Sequence, residues 1–296
     1  MRLVFIHGIN NETNTVKEIE DRWTGALEKG WAALGEKPTK PFTVDTAYYA
    51  DILAEASGDT KKAVEMGGPG DPGTGLAIEF LRAYADEAGV TEAELTSAAV
   101  AEGVPMGAIE QGVPHEGWVI AFAKVLERVL PTKGKYVAKL FLRQASVYIG
   151  DPVLAARIAA KVIKQIFETK PDPTIVIGHS LGSVVGYRIL ADTKFADRSA
   201  PLFVTVGSPL SVDMFKPILP ARGSMPTPPI KRWINGRNKE DFVTLGKAIT
   251  KKSIGFDGVV DITDVIDNPD NRHDIGAYLE SEKIAKAVLD TINSKG

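Results

Sequence analysis

A chain of 296 residues, 44% of them hydrophobic, can bury one large core or a core carrying a sizeable insertion. Its net charge of −3 shows no basic bias and argues against nucleic acid as a partner. The absence of cysteine excludes disulfides, thiol nucleophiles and cysteine-ligated zinc.

The chain begins Met1-Arg2-Leu3-Val4-Phe5-Ile6-His7-Gly8, with four consecutive apolar residues before a His-Gly turn. That run is too short for a signal-peptide core or a membrane span, so it reads as a first strand and the expected location is cytoplasmic. Strand-like runs recur at Phe42–Tyr49, Thr174–Ile177, Leu202–Val206, Lys231–Ile234 and Val259–Ile262. Several are almost continuously apolar, as expected for strands covered on both faces of a parallel sheet. Helical patterns lie between them at Thr15–Leu34, Val153–Thr169, Leu181–Ala191 and Ser281–Ile292. The alternation predicts an α/β fold, a mostly parallel sheet flanked by helices with right-handed crossovers.

Residues 51–150 break this rhythm. They hold no convincing strand and four helical patterns, Leu76–Glu87, Thr91–Glu102, Trp118–Leu130 and Val137–Tyr148, with a capping box at Thr91 and Glu94. The expected division is a sheet core of residues 1–50 and 151–296 and an inserted helical cap of residues 51–150. The apolar faces at 118–130 and 137–148 either pack on the domain beneath or touch an acyl chain or a membrane surface. Gly67–Gly75 lacks the Gly-Lys-Ser/Thr ending of a phosphate loop and reads as a hinge. Leu210–Pro229, with five prolines, reads as a long loop near the strand ends.

The chemistry concentrates in Ile175-Val176-Ile177-Gly178-His179-Ser180-Leu181-Gly182. A β-branched run stops at a Gly-x-Ser-x-Gly pentad, and a helical pattern starts directly after it. That is the pattern of a sharp strand-to-helix turn presenting one serine at its apex. A serine hydroxyl needs a base within hydrogen-bond reach and a group that orients the base. Of the four histidines, His179 adjoins the serine on a tight turn and points away, His7 suits loop support, and His115 falls in the insertion. His273, in a polar loop between the last strand and the final helix, is the candidate base. Asp241, in a polar loop after the Lys231–Ile234 strand, is the preferred orienting acid. Asp213 is its rival, and Asp257 and Asp264 are weaker alternatives. The amides of Ile9 and Leu181 are candidates for an oxyanion hole, with Gly8 giving close backbone approach and Asn10 and Asn11 shaping the loop.

Taken with the turn at Val206-Gly207-Ser208-Pro209, these residues resemble an α/β-hydrolase of the lipase/esterase type. The likeness covers about residues 1–50 and 151–292. It implies cleavage of a carboxylic ester with an apolar acyl or alcohol part through an acyl-enzyme on Ser180, with His273 as base and Asp241 as acid. It also implies no cofactor or metal, and a small-molecule or lipid-like ester as partner. The sheet would be a reduced version, because the oxyanion strand starts at residue 3. Thioester or amide hydrolysis on the same triad, and a non-catalytic binding module, are the alternatives.

Overall fold

Six strands form one sheet. The structure is a computed structural model and describes residues 1–57, 82–101, 103–105, 125, 135–166, 173–192, 194, 199–220 and 230–294. Strands β1 (Arg2–Ile6), β2 (Thr43–Ala47), β3 (Thr174–His179), β4 (Leu202–Val206), β5 (Trp233–Gly236) and β6 (Val259–Ile262) lie in the order β2-β1-β3-β4-β5-β6. Every pair is parallel. Each strand overlaps a run read from the sequence, although the run at 42–49 is trimmed to five residues at β2, and β5 is shifted two residues beyond the Lys231–Ile234 run.

Alternation along the strands explains the near-continuous apolar runs. Leu3, Phe5, Ile175, Ile177, Val204 and Ile234 point to one face. They meet Trp23 and Leu27 of α1 (Val16–Ala33), and Leu279 and Val288 from two C-terminal helices near residues 275–293. Val4, Ile6, Val176, Phe203 and Trp233 point to the other face. They join a cluster holding Leu53 of α2 (Ala50–Ser57) and Tyr84 in the helical residues 82–87. Both faces are dry, as parallel sheets require. Helix α1 starts where the sequence signals it, because Thr15 and Glu18 form a reciprocal capping box.

Within residues 51–150 the described segments are mainly helical. Residues 82–87, α3 (Glu92–Ala101) and α4 (Lys135–Gly150) are helices, and the predicted capping box at Thr91 and Glu94 forms. Leu95, Ala99 and Tyr148 bury into the same cluster as Val4 and Val176. The expected helix at 118–130 lies outside the described residues except for Val125, and so do His115 and the 67–75 run. Among the described residues, no helix is long and apolar enough to cross a membrane.

After the insertion the chain continues through α5 (Pro152–Ile166) into β3, then α6 (Leu181–Leu190) and β4. The expected loop at 210–229 is partly ordered instead. Pro209–Ser211 and Asp213–Ile218 are 3-10 turns, started by Ser208, whose hydroxyl accepts from the Leu210 amide, with Pro209 preset for the first turn. Residues 221–229 lie outside the described residues. Beyond β5 come the short α7 (Lys251–Ile254), β6, α8 (Ile275–Leu279) and α9 (Glu282–Asn293).

The connectivity singles out one place on the sheet. From β1 the chain passes to β2 on one side, then crosses to β3 on the other. Such a switch opens a crevice at the carboxyl ends of the strands. Here it falls between β1 and β3, where Ile6 is paired with Gly178. The backbones are close enough there that a Cβ on Gly182 would lie 2.1 Å from the Ile6 carbonyl oxygen and 2.4 Å from that of His7. Gly182→Ala is therefore expected to lower the unfolding free energy by about 3 kcal/mol or more. Gly25, in α1 with nothing within 4 Å of its Cβ position, is the contrast. Gly25→Ala is expected to stabilise by about 0.5–1 kcal/mol. Urea unfolding of both variants checks the pair.

Candidate active site

Strand β3 enters α6 with only Ser180 between them. Ser180 has φ 53° and ψ −129°, a conformation that costs a side-chain-bearing residue about 1–3 kcal/mol. Its amide donates to the Val206 carbonyl at 3.0 Å, and its carbonyl accepts from the Ser183 amide at 3.0 Å and the Ser183 hydroxyl at 2.6 Å. Glycine is required at Gly178, where a Cβ would lie 2.7 Å from Ser183 Cα. Ser180 occupies the N-cap position of α6, yet its hydroxyl caps nothing. Among the described residues, the buried Oγ has no hydrogen-bond partner. A structural capping role therefore does not account for this side chain.

The polar loop after β5 places Asp241, 0% exposed, against His273, 5% exposed. Asp241 Oδ2 lies 2.7 Å from His273 Nδ1 and accepts from the Tyr278 hydroxyl at 2.6 Å, while Oδ1 accepts from the Val243 amide at 2.9 Å. An acceptor at Nδ1 puts the ring proton there and leaves Nε2 as a lone pair. Among the described residues, that Nε2 is buried and, like Ser180 Oγ, has no hydrogen-bond partner, so the two are not bonded to each other. Burial and the Asp241 charge hold the Tyr278 phenol well above its usual value, so it stays a donor. Its oxygen in turn accepts from the Asn238 amide at 3.1 Å. Beside this pair, Arg272 Nε donates to Glu240 at 3.0 Å, tying together the loops that carry His273 and Asp241. Gly207, at φ +55°, leaves the space they need, since a Cβ there would lie 2.9 Å from His273 Nδ1.

The other carboxylates weighed as the acid lie elsewhere. Asp213 pairs with Lys216 on the surface, Asp264 with Lys283 at 2.6 Å and Asp257 with Lys251 at 3.6 Å.

The loop after β1 is built around His7. Its Nδ1–H donates to the Gly8 carbonyl at 2.7 Å, and its Nε2 accepts from the Tyr49 amide at 3.1 Å. Both bonds suit the neutral ring, and burial pushes its pKa down to about 4. The Asn11 side chain donates to the Ile9 carbonyl at 2.8 Å. Asn10, at φ 57°, sends its amide to Gln144 of α4 at 3.2 Å. Gly8 abuts the serine, with a Cβ position 2.6 Å from Ser180 Cβ. Among the described residues, neither the Ile9 nor the Leu181 amide has an acceptor.

Three participants escaped the sequence reading. Tyr278 and Gln144 lie far in sequence from Asp241 and Asn10, and no motif marks them. His179 was given no role, yet its Nε2–H donates to the His273 carbonyl at 3.1 Å and the two rings lie 4.4 Å apart. Burial, then the neighbouring His273, keeps His179 well below the usual histidine value. A cavity of about 120 Å³ opens beside these two rings. Among the described residues, no group of three or more His, Asp or Glu side chains is placed to hold a metal ion. Comparison of the chain with protein-family models, curated proteins and solved structures finds no match.

Two outcomes follow from this geometry. His7 has a folded pKa near 4 against 6.5 in the unfolded chain. Between those values only the unfolded chain takes up the proton. The stability due to neutral His7 is thus fully present above pH 6.5 and is lost as pH falls towards 4, about 3 kcal/mol in all. His179 adds to the same trend. Urea unfolding at pH 7 and 4.5 reads this slope, and His7→Asn is expected to flatten it. Tyr278→Phe removes a donor from the buried carboxylate and is expected to cost about 2 kcal/mol in the same assay.

Proposed function

We propose that the protein is a serine hydrolase that cleaves a carboxylic ester through an acyl-enzyme on Ser180. One observation carries the reading. Among the described residues, four buried side-chain atoms lack a hydrogen-bond partner. Thr46 Oγ1 lies on β2 and Arg272 Nη1 is ion-paired with Asp267, while Ser180 Oγ and His273 Nε2 stand beside each other's loops, with the far side of the His273 ring secured by Asp241. Buried polar groups are ordinarily satisfied, and exceptions of this kind mark reactive groups. The strained backbone at Ser180 and the chain order Ser180, Asp241, His273 support the same reading, as does the resemblance to α/β-hydrolases of the lipase/esterase type.

In this mechanism Ser180 Oγ attacks the ester carbonyl carbon as His273 Nε2 takes the hydroxyl proton. Asp241 holds the ring in the tautomer that exposes the Nε2 lone pair and stabilises the imidazolium that forms. The Ile9 and Leu181 amides donate to the developing oxyanion. Collapse of the tetrahedral intermediate breaks the ester C–O bond, and His273 returns the proton to the leaving alcohol. Water, deprotonated by the same nitrogen, then attacks the acyl-enzyme, releasing the acid and restoring Ser180. His179 positions the base through the His273 carbonyl. Residues 51–150 act as the cap over this site. That role is supported by Tyr84, whose hydroxyl donates to the Phe242 carbonyl next to Asp241, and by Gln144 on the Asn10 amide.

A fluorophosphonate probe is expected to label wild-type protein at Ser180 and to leave Ser180→Ala unlabelled. Asp241→Asn should lower kcat on a short nitrophenyl ester roughly 10³–10⁴-fold, by stabilising the wrong tautomer. Asp213→Asn should leave it within about threefold. Folded wild-type protein that takes no label, beside a reference serine hydrolase that does, would sink the proposal.

A further inference from the structure

The cavity beside His273 lies between the loop after β1, the first turns of α1 and the loop that carries the base. Its volume is about 120 Å³, room for a handful of non-hydrogen atoms. The wall is mixed. Ile9, Ile19, Trp23 and Ile275 supply its apolar part, and Asn10, Asn14, Asn271 and His179 line it along with the edge of His273.

The charges in this wall are already committed. Arg22 is paired with Asp274, and the Glu18 carboxylate is engaged by the Thr15 amide and hydroxyl. With one cation against two carboxylates, the cavity has no spare positive charge for an anion. Its uncommitted groups are neutral. His179 spends its Nε2–H on the His273 carbonyl, which leaves Nδ1 as an acceptor. Asn271 accepts the His273 amide through Oδ1, which leaves its NH₂ as a donor. Among the described residues, the Asn10 carboxamide has no partner at all. Donors and an acceptor around a small neutral space match a group that both donates and accepts, and a hydroxyl does both.

We propose that this cavity is a subsite for a short, uncharged, hydroxylated part of the substrate, read by His179, Asn10 and Asn271. The proposal rests on the serine-hydrolase reading above and narrows its substrate class to esters of small polar molecules, in place of the apolar esters expected from the sequence.

The hydroxyl could belong to the leaving alcohol or to the acyl group, and two matched ester pairs distinguish these with the full-length protein. Glycerol monoacetate against propyl acetate places the hydroxyls in the alcohol. Ethyl 3-hydroxybutyrate against ethyl butyrate places one in the acyl group. The expected result is a kcat/KM at least about tenfold higher for the hydroxylated member of one pair. Asn10→Gly keeps the positive φ and deletes the carboxamide, and His179→Phe keeps a ring and deletes the acceptor. Each should shrink the ratio within that pair several-fold. A general loss of folding or of chemistry changes both members alike and leaves the ratio standing. A ratio near one in both pairs, in protein whose Ser180 takes the fluorophosphonate, overturns the subsite and spares the hydrolase. A ratio that neither variant moves overturns the residue assignment. Failure of Ser180 to label overturns the hydrolase reading and the subsite with it.

Discussion

The end of β1 and the turn from β3 into α6 are in backbone contact, and the geometry of the site depends on that contact. A Cβ at Gly182 would fall 2.1 Å from the Ile6 carbonyl oxygen, and one at Gly8 would fall 2.6 Å from Ser180 Cβ. Neighbouring parallel strands bring these backbones together, since Ile6 and Gly178 are register partners. Pressed from that side and tied to Val206 on the other, Ser180 cannot relax from its strained φ. The sheet register thus sets where the hydroxyl stands relative to the Gly8–Ile9 peptide.

Around this contact, burial fixes the protonation of the polar side chains. His7 and His179 are held neutral, and each uses its ring N–H to secure a loop carbonyl. Tyr278 is held as a phenol and donates to Asp241. Among the described residues, Ser180 Oγ and His273 Nε2 are buried without a hydrogen-bond partner, and they are the two atoms that proton transfer to a base requires. An apolar environment makes each satisfied bond firmer and each unsatisfied group costlier. That contrast gives the two bare atoms their meaning.

Much of the fold was legible because local rules sufficed. Continuous apolar runs identified the strands, and Thr91–Glu94 announced a helix start through bonds between near neighbours; the equivalent box at Thr15–Glu18 was not read from the sequence. The turn at Ser180 was legible because its glycines answer to a steric demand that a pentad records. The 3-10 turns at 209–218 were missed, since a proline-rich segment suggests a loop and only Ser208 signals an ordered start. His179 was set aside on the ground that its side chain leaves the serine. That direction is what carries it to the His273 carbonyl.

By itself the sequence determined the parallel sheet and the nucleophile candidate, because strand patterning and turn sterics act over a few residues. It narrowed the candidate base to His273 by elimination but left Asp241 and Asp213 open as the candidate acid. Tertiary structure separated them, setting Asp241 against His273 in a buried network and Asp213 against Lys216 in solvent. Tyr278, Gln144 and the cavity beside His273 also emerged only from the fold, since their partners lie 37 and 134 residues away or on three separate segments. Contacts at such separations depend on how layers pack, and no short stretch of sequence encodes them.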